Sequence, residues 1–271
     1  MAKTVFITGA SSGFGREASN LFQQHGWNVI ATMRSPEKEI KLDKLEHVLV
    51  TKLDVQDLKS IENAIKAGVE RFANIDVLIN SAGYGLMGVF ESATSEQIKN
   101  LFEVNVFGLM EVTRQVLPYL RANGNGTIIN ISSIGGVVAM PFGSLYISSK
   151  FAVEGLSESL AHELSSLNIL VKIIEPGSID TNFRNGLEMI KNDKEVYDPI
   201  MAASFPRYHQ LTNHLEIATV ADVAKTIYEA ATDGTTQLRY IIGADAHFFI
   251  DKKAQAEDQD FVNQIREYFI H

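Results

Sequence analysis

Cysteine is absent from the 271 residues, which removes disulfide cross-links, thiolate nucleophiles and cysteine-ligated zinc together. No apolar run approaches the ~20 residues that a helix needs to cross a bilayer, so no membrane partner is expected. Basic residues are outnumbered: 24 Lys and Arg stand against 33 Asp and Glu, a formal charge of −9. That balance opposes attraction to nucleic acid or to an anionic membrane surface, and no nucleic-acid partner is expected. His209 and His214 fall in a weakly patterned stretch and the Glu of "AHEL" lacks the second histidine of a zincin helix, so no metal site is expected. Nor does Ser133 stand in the Gly-x-Ser-x-Gly elbow of a hydrolase. The opening "MAKTVFITGASSGFG" reads as a strand running into glycines, not as a signal peptide, and the expectation is a cytoplasmic protein.

What the chain does have is ordinary globular composition, 45% hydrophobic and 21% charged. Short runs rich in β-branched residues recur: "TVFIT", "NVIAT", "HVLVTKLD", "IDVLIN", "GTIINIS" and "ILVKIIEP". Between them lie helical patterns. Phe14, Ala18, Leu21 and Phe22 form a stripe over 14–25, Val55, Leu58, Ile61, Ile65 and Val69 over 55–72, and Val153, Leu156, Leu160 and Leu164 after Tyr146. Near-continuous apolar strands alternating with helices indicate a parallel sheet buried on both faces. The chain therefore reads as one doubly wound α/β domain over 1–271. Residues 182–215 break the rhythm and read as an irregular insertion, such as a lid. A last strand, "LRYIIG", and a helix near 257–269 close the chain.

The unusual residues converge. Gly9 to Gly15 follow the first strand, Arg34 the second and Asp54 the third. Asn80, Ala82 and Gly83 follow the fourth, Ser132 and Ser133 the fifth, Pro176 and Gly177 the sixth. All fall at carboxyl ends of strands, the edge where open parallel sheets bind ligands. The loop "TGASSGFG" lets backbone approach a ligand and aims a helix N-terminus at it, an arrangement suited to phosphate. Its spacing is Gly-x-x-x-Gly-x-Gly, not Gly-x-Gly-x-x-Gly.

In "SLYISSKFAVEGL", Tyr146 and Lys150 stand four apart, hence one above the other on a helix. A phenol with a reference pKa of about 10 needs its anion stabilised to exchange protons near neutrality. An ammonium about 4 Å away, at an effective dielectric of about 20, supplies roughly 4 kcal/mol. On that reckoning Lys150 lowers the Tyr146 phenol.

Five motifs occur in order: Thr8-Gly9-x-x-x-Gly13-x-Gly15; Asn80-Ser81-Ala82-Gly83; Asn105 within "VNVFG"; Ser133 with Tyr146 and Lys150; and Pro176-Gly177 followed by Thr181. In these the chain resembles the short-chain dehydrogenase/reductase family over nearly its whole length. Ser81 stands where that family usually has a second asparagine, and Phe14 where isoleucine is common. The resemblance implies a Rossmann fold whose mostly parallel seven-stranded sheet runs in the order 3-2-1-4-5-6-7. It implies catalytic roles for four residues: Tyr146 as general acid/base, Ser133 as a second donor to the substrate oxygen, Lys150 on the nicotinamide ribose, and Asn105 holding a relay water. It implies cofactor contacts from Gly9, Ser11, Ser12, Gly13, Phe14, Gly15, Arg34, Asp54, Val55, Asn80, Ala82, Gly83, Tyr146, Lys150, Pro176, Gly177, Ile179 and Thr181. Asp54 has a second reading as the cap of the following helix.

Met33 stands where an NAD enzyme places an acid for the ribose 2′-hydroxyl, and Arg34 follows. An arginine suits a 2′-phosphate, so the expected cofactor is NADP(H). Tyr84, Leu86, Met87, Met140, Phe142, Phe183 and Met189 would line an apolar substrate site, which suits a hydrophobic ketone, aldehyde or secondary alcohol. The phrases "ATMRS", "NVFG" and "EPG" are similar to the branch holding hydroxysteroid and retinol dehydrogenases and carbonyl reductases. The alternatives are an NAD-dependent dehydrogenase of that branch and a non-catalytic NADP-binding sensor. Small residues Ala152, Gly155 and Ser159 on a second side of the Tyr146 helix suggest a homodimer or homotetramer.

Overall fold

The computed structural model describes residues 2–180 and 187–270. Seven strands form the central sheet: β1 (Thr4–Ile7), β2 (Asn28–Met33), β3 (Val48–Lys52), β4 (Val77–Asn80), β6 (Gly126–Ile131), β7 (Ile169–Pro176) and β11 (Arg239–Ile242). They lie side by side as β3-β2-β1-β4-β6-β7-β11, and each neighbouring pair is parallel. This is the expected order, with the chain reversing direction of travel at β1/β4. Two short strands, β5 (Gly85–Met87) and β9 (Leu187–Met189), pair outside the main sheet, as do β8 (Ile179–Asp180) and β10 (Ala218–Thr219).

The helices are α1 (Gly13–Gln24), α2 (Leu58–Phe72), α3 (Ser95–Phe102), α4 (Leu109–Ala122), α5 (Ser144–Leu164), α6 (Asp198–Thr212), α7 (Val220–Thr232), α8 (Ala244–Gln255) and α9 (Asp258–Phe269). Successive strand residues point to opposite faces, and the core divides accordingly. Val5, Ile7, Val29 and Ala31 pack against Ala18 and Phe22 of α1 and Val223 and Ile227 of α7. Phe6, Ile30 and Leu78 face the other way, onto Ile61 and Ile65 of α2 and Val112 and Val116 of α4. Burying a side chain of this size contributes about 1.5–3 kcal/mol, so both faces must be covered, as the near-continuous apolar strands required.

Two departures from the sequence expectations have physical causes. Helix α2 starts at Leu58, three residues later than expected, because Asp57 caps it by accepting from the amides of Lys59 and Ser60. Val55 lies ahead of the helix and packs in the core; a Cβ on Gly108 would come within 2.7 Å of it. The second departure is larger. The segment expected to be irregular contains α6, and α8 was not foreseen. Helix α6 has no apolar stripe and of its residues only Ser204 is fully buried. Its fixation is aromatic instead: Tyr208 stacks on Phe249 of α8 at 6.1 Å and Phe269 of α9 at 6.0 Å. These rings belong to a separate small core of α8, α9 and residues 134–140.

Candidate active site

The glycine loop joins β1 to α1 by a close approach of two backbones. Gly9 has φ +70°, and a Cβ there would lie 2.9 Å from both the N and Cα of Ala82. The Thr8 hydroxyl fastens the same junction, accepting from the amides of Ser81 at 3.0 Å and Ala82 at 3.1 Å. Since Ser81 contributes its amide, a serine in place of the family's usual asparagine leaves this contact intact. Gly15 packs against Gly9, whose oxygen would be 2.6 Å from an added Cβ. Gly13, by contrast, has φ +54° and open space on its Cβ side. Ser12 precedes α1 without capping it, so the first-turn amides remain directed outward, the geometry that receives an anion.

A groove of about 1050 Å³ runs along this edge, lined by Gly9, Ser11, Ser12, Gly13, Phe14, Arg34, Asp54, Val55, Ala82 and Gly83 of the expected set. Open glycine backbone, free helix amides, two hydroxyls and a cation make its chemistry fit a phosphate-bearing dinucleotide. Arg34 is exposed and, among the described residues, makes no hydrogen bond or ion pair. Asp54 binds the amide of Gln56 at 3.1 Å; the helix cap is Asp57, which removes the alternative reading of Asp54.

The groove also holds Arg16, which the sequence reading missed. Its guanidinium forks onto Glu39 at 2.7 and 3.0 Å and donates to the carbonyl of Ser11 at 3.1 Å. Burial alone would raise the Glu39 carboxyl. The hydrogen bonds from Arg16 and from the amides of Leu42 and Lys41, with the guanidinium charge, outweigh it and bring the carboxyl down to about 2. Arg16 follows Gly15 directly, but no sequence signal pointed to its partner 23 positions away.

Lys150, Tyr146 and Ser133 meet beyond Gly83. A Cβ on Gly83 would lie 3.1 Å from Asn105 Oδ1 and 4.0 Å from Lys150 Nζ. Lys150 is buried and donates to the carbonyl of Ile131 at 2.8 Å. Ser133 caps a short turn by accepting from the amide of Gly135 at 3.1 Å, and its hydroxyl and the Tyr146 ring face the same side of Gly135, 3.6 and 3.5 Å from where a Cβ there would lie. One expectation is corrected here. Burial raises the Tyr146 phenol, and the contact that lowers it comes from Ser133, not from Lys150. The reason is placement: the ammonium is engaged by Ile131 and sits 5.7 Å from the centre of the tyrosine ring. Burial in turn pushes Lys150 down to about 8, with the negative charge of Glu154 opposing.

Asn105 lies in a π-helical turn, 103–108, between α3 and α4. Its amide accepts from the Tyr84 N–H at 3.0 Å and donates to the Tyr84 carbonyl at 2.9 Å and to Ser149 Oγ at 3.2 Å. Both amide hydrogens are thus committed to protein, so the side chain ties the turn to the loop just before β5 and to α5. Asn80 faces inward rather than into the groove, donating to Thr113 Oγ1 and Asn130 Oδ1, both at 2.9 Å.

Pro176 ends β7 and Gly177 follows it, both outside the groove lining, and Ile179 opens β8. The Gly177–Ser178 turn is held from behind: Asp245 Oδ2 accepts from the Ser178 amide at 2.7 Å and from the Tyr208 hydroxyl at 3.0 Å. Thr181 and Phe183 lie outside the described residues. Of the expected substrate lining, Leu86 is a core residue packed with Leu101, Leu145 and Ile190, because β5 turns it away from the groove. Tyr84 lines the groove, and Met189 on β9 is exposed. Among the described residues no cluster of three or more His, Cys, Asp or Glu could hold a metal ion, and no helix is long and apolar enough to cross a membrane.

Known proteins share this arrangement. The short chain dehydrogenase family model matches residues 3–191. An oxidoreductase of Schizosaccharomyces pombe is 41% identical over 231 residues, covering 85% of this chain and 96% of its own. A 3-ketodihydrosphingosine reductase of Bacteroides thetaiotaomicron is 38% identical over 200 residues, 73% of this chain and 72% of its own. Among solved structures, a short-chain dehydrogenase from Streptomyces avermitilis superposes with a TM-score of 0.84 at 33% identity over 98% of each chain. ElxO with NADP bound superposes at 0.74 and 27% identity, over 89% of this chain and 98% of its own. The chain belongs to the short-chain dehydrogenase family and is an oxidoreductase of that family.

Proposed function

We propose that the protein transfers a hydride between NADP(H) and a hydrophobic ketone, aldehyde or secondary alcohol. The observation that carries this reading is the convergence of Ser133, Tyr146 and buried Lys150 next to Gly83, which lines the groove that also presents Arg34. When bound, the nicotinamide supplies or accepts the hydride. The chain supplies the proton and the placement. Reduction builds negative charge on the carbonyl oxygen, so donors aimed at it and an acid are required. The Tyr146 phenol gives that proton, and the Ser133 hydroxyl offers the second donor. Lys150, held on the Ile131 carbonyl with its ammonium 5.7 Å from the centre of the Tyr146 ring, would hold the nicotinamide ribose.

Arg34 supports NADP(H) over NAD(H), since a guanidinium takes a phosphate with two hydrogen bonds. ElxO was solved with NADP, and the named reductase of Bacteroides thetaiotaomicron acts on a 3-keto group; both support this reading. The chain is further proposed to form a homodimer or homotetramer through α5. Gly155 there faces open space; Phe151, one turn before it, is 41% exposed, and Phe107 of the π turn is 52% exposed.

The test is a comparison of NADPH and NADH oxidation across hydrophobic ketones and aldehydes. NADPH is expected to be oxidised faster. Tyr146→Phe is expected to lose about 10²-fold or more in turnover while retaining NADPH; full turnover in that variant would overturn the assignment.

A further inference from the structure

Behind Lys150 lies a group of charges that the reaction as described does not use. Glu154 stands one turn further along α5 and is 6% exposed; Glu175, on β7, is 1% exposed. Two of their oxygens lie beside one guanidinium nitrogen. Arg239 Nε is 3.1 Å from Glu154 Oε2 and 3.2 Å from Glu175 Oε1, while the guanidinium's other end holds exposed Glu158 at 2.6 Å. Among the described residues Glu154 Oε1, both Glu175 oxygens and Ser132 Oγ are buried without a hydrogen-bond partner, so the Arg239 Nε–H is directed at Glu154 rather than at Glu175. Ser132 and Glu154 face each other across Gly136, where a Cβ would lie 2.4 Å from Ser132 Oγ and 3.0 Å from Glu154 Oε1.

We propose that Glu154 and Glu175 are positioning residues that share one proton, leaving a single buried negative charge one turn from Lys150 that keeps Lys150 an ammonium. Two buried carboxylates beside one guanidinium nitrogen do not both ionise cheaply, and their protons come off as a coupled pair. Burial, then the charge of Glu154, raises Glu175 to about 7, with Arg239 opposing. Within the pair Glu175 is the carboxyl that is raised, and it is the charge of Glu154 that opposes the burial of Lys150.

Other charges near this group are accounted for. On α5, Glu158 binds Arg239. On β7, Lys172 points to Asp233 and Tyr240 instead. On α8, Lys253 donates to the Val137 carbonyl at 2.6 Å. On α3 and the π turn, Glu96, Lys99 and Glu103 are exposed.

The inference rests on the proposed hydride transfer, and its first test is independent of it. Carboxyl ¹³C NMR titration of the full chain, without cofactor or substrate, is expected to find Glu175 protonated up to about 7 and to find that value falling in Glu154→Gln. A Glu175 that titrates in the ordinary carboxylate range overturns the proposal whatever the enzyme's activity. The second test is the pH profile of kcat/KM for NADPH-dependent reduction. Glu154→Gln is expected to move the alkaline limb down by about one pH unit, Glu154→Asp to recover part of that shift, and Glu175→Gln to move it less than Glu154→Gln does. An alkaline limb unmoved in Glu154→Gln overturns the proposal. If the variants fail to fold, the wild-type titration alone decides.

Discussion

The side-chain amide of Asn105 closes a ring on the backbone of Tyr84, accepting from its N–H at 3.0 Å and donating to its carbonyl at 2.9 Å. This pair fastens the π turn to the loop after β4, the loop that also carries Gly83 beside Lys150. In Asn105→Ala both Tyr84 backbone groups lose their side-chain partner, and Ser149 loses a donor. Leaving buried polar groups unpaired costs about 1–3 kcal/mol each. The melting temperature is expected to fall by several degrees, with turnover falling more than NADPH affinity. Calorimetry and fluorescence titration of NADPH check the two effects separately.

Arg34 is exposed and, among the described residues, makes no hydrogen bond or ion pair, so replacing it breaks none. Arg34→Asp is expected to weaken NADPH by about 10–100-fold, the scale of one or two charge-assisted hydrogen bonds, and to leave NADH nearly unaffected. Parallel titrations with the two cofactors measure the ratio. An unchanged ratio would remove Arg34 as the determinant of cofactor choice.

What was legible in the sequence followed from local rules. The strands of the main sheet were readable because each is a short run rich in apolar residues, the inner ones buried on both faces, and their carboxyl ends gathered Gly9, Arg34, Asp54 and Gly83 on one edge. Helix α6 was not readable. Its fixation comes from Tyr208 stacking on Phe249 and Phe269, residues 41 and 61 positions later, and such contacts leave no period in the sequence. The same holds in the site. The four-residue spacing of Tyr146 and Lys150 gave their neighbourhood, but not that Lys150 would turn to the Ile131 carbonyl or that Ser133 would be the phenol's partner. Arg16 and Glu39, like Glu154 and Glu175, are pairings between elements, which one chain read linearly does not reveal.

Gly9 combines positive φ with contact on a neighbouring backbone. In Gly9→Ala the new methyl would sit 2.9 Å from Ala82 N and Cα, and backbone cannot yield as a side-chain tip can. Strain at φ +70° adds about 1–3 kcal/mol for a non-glycine residue. The variant is expected to lose at least about 2 kcal/mol of stability in urea unfolding, together with most NADPH affinity, because the loop must move. Gly13→Ala has open space and a similar φ, so its stability loss is expected to be smaller.

Glu39 provides a test by pH. Its carboxyl, at an ordinary 4.5, is brought down to about 2 in the folded chain by Arg16 and two amides, and its side chain is 5% exposed. A folded-state value below the unfolded one means that the unfolded chain binds more protons between the two, so stability from this group is present above about 4.5 and is lost as pH falls toward 2. Glu39→Gln removes that dependence. Relative to the variant, the wild type is expected to be more stable at pH 7 by on the order of 2 kcal/mol, with the difference closing as pH falls through 4 toward about 2. Asp233, which Lys172 and Tyr240 also hold down to about 2, contributes in the same direction to both proteins and cancels in the difference. Urea titrations of the two proteins across this range measure it; a gap that stays constant with pH would show that Glu39 acts through packing rather than through its charge on Arg16.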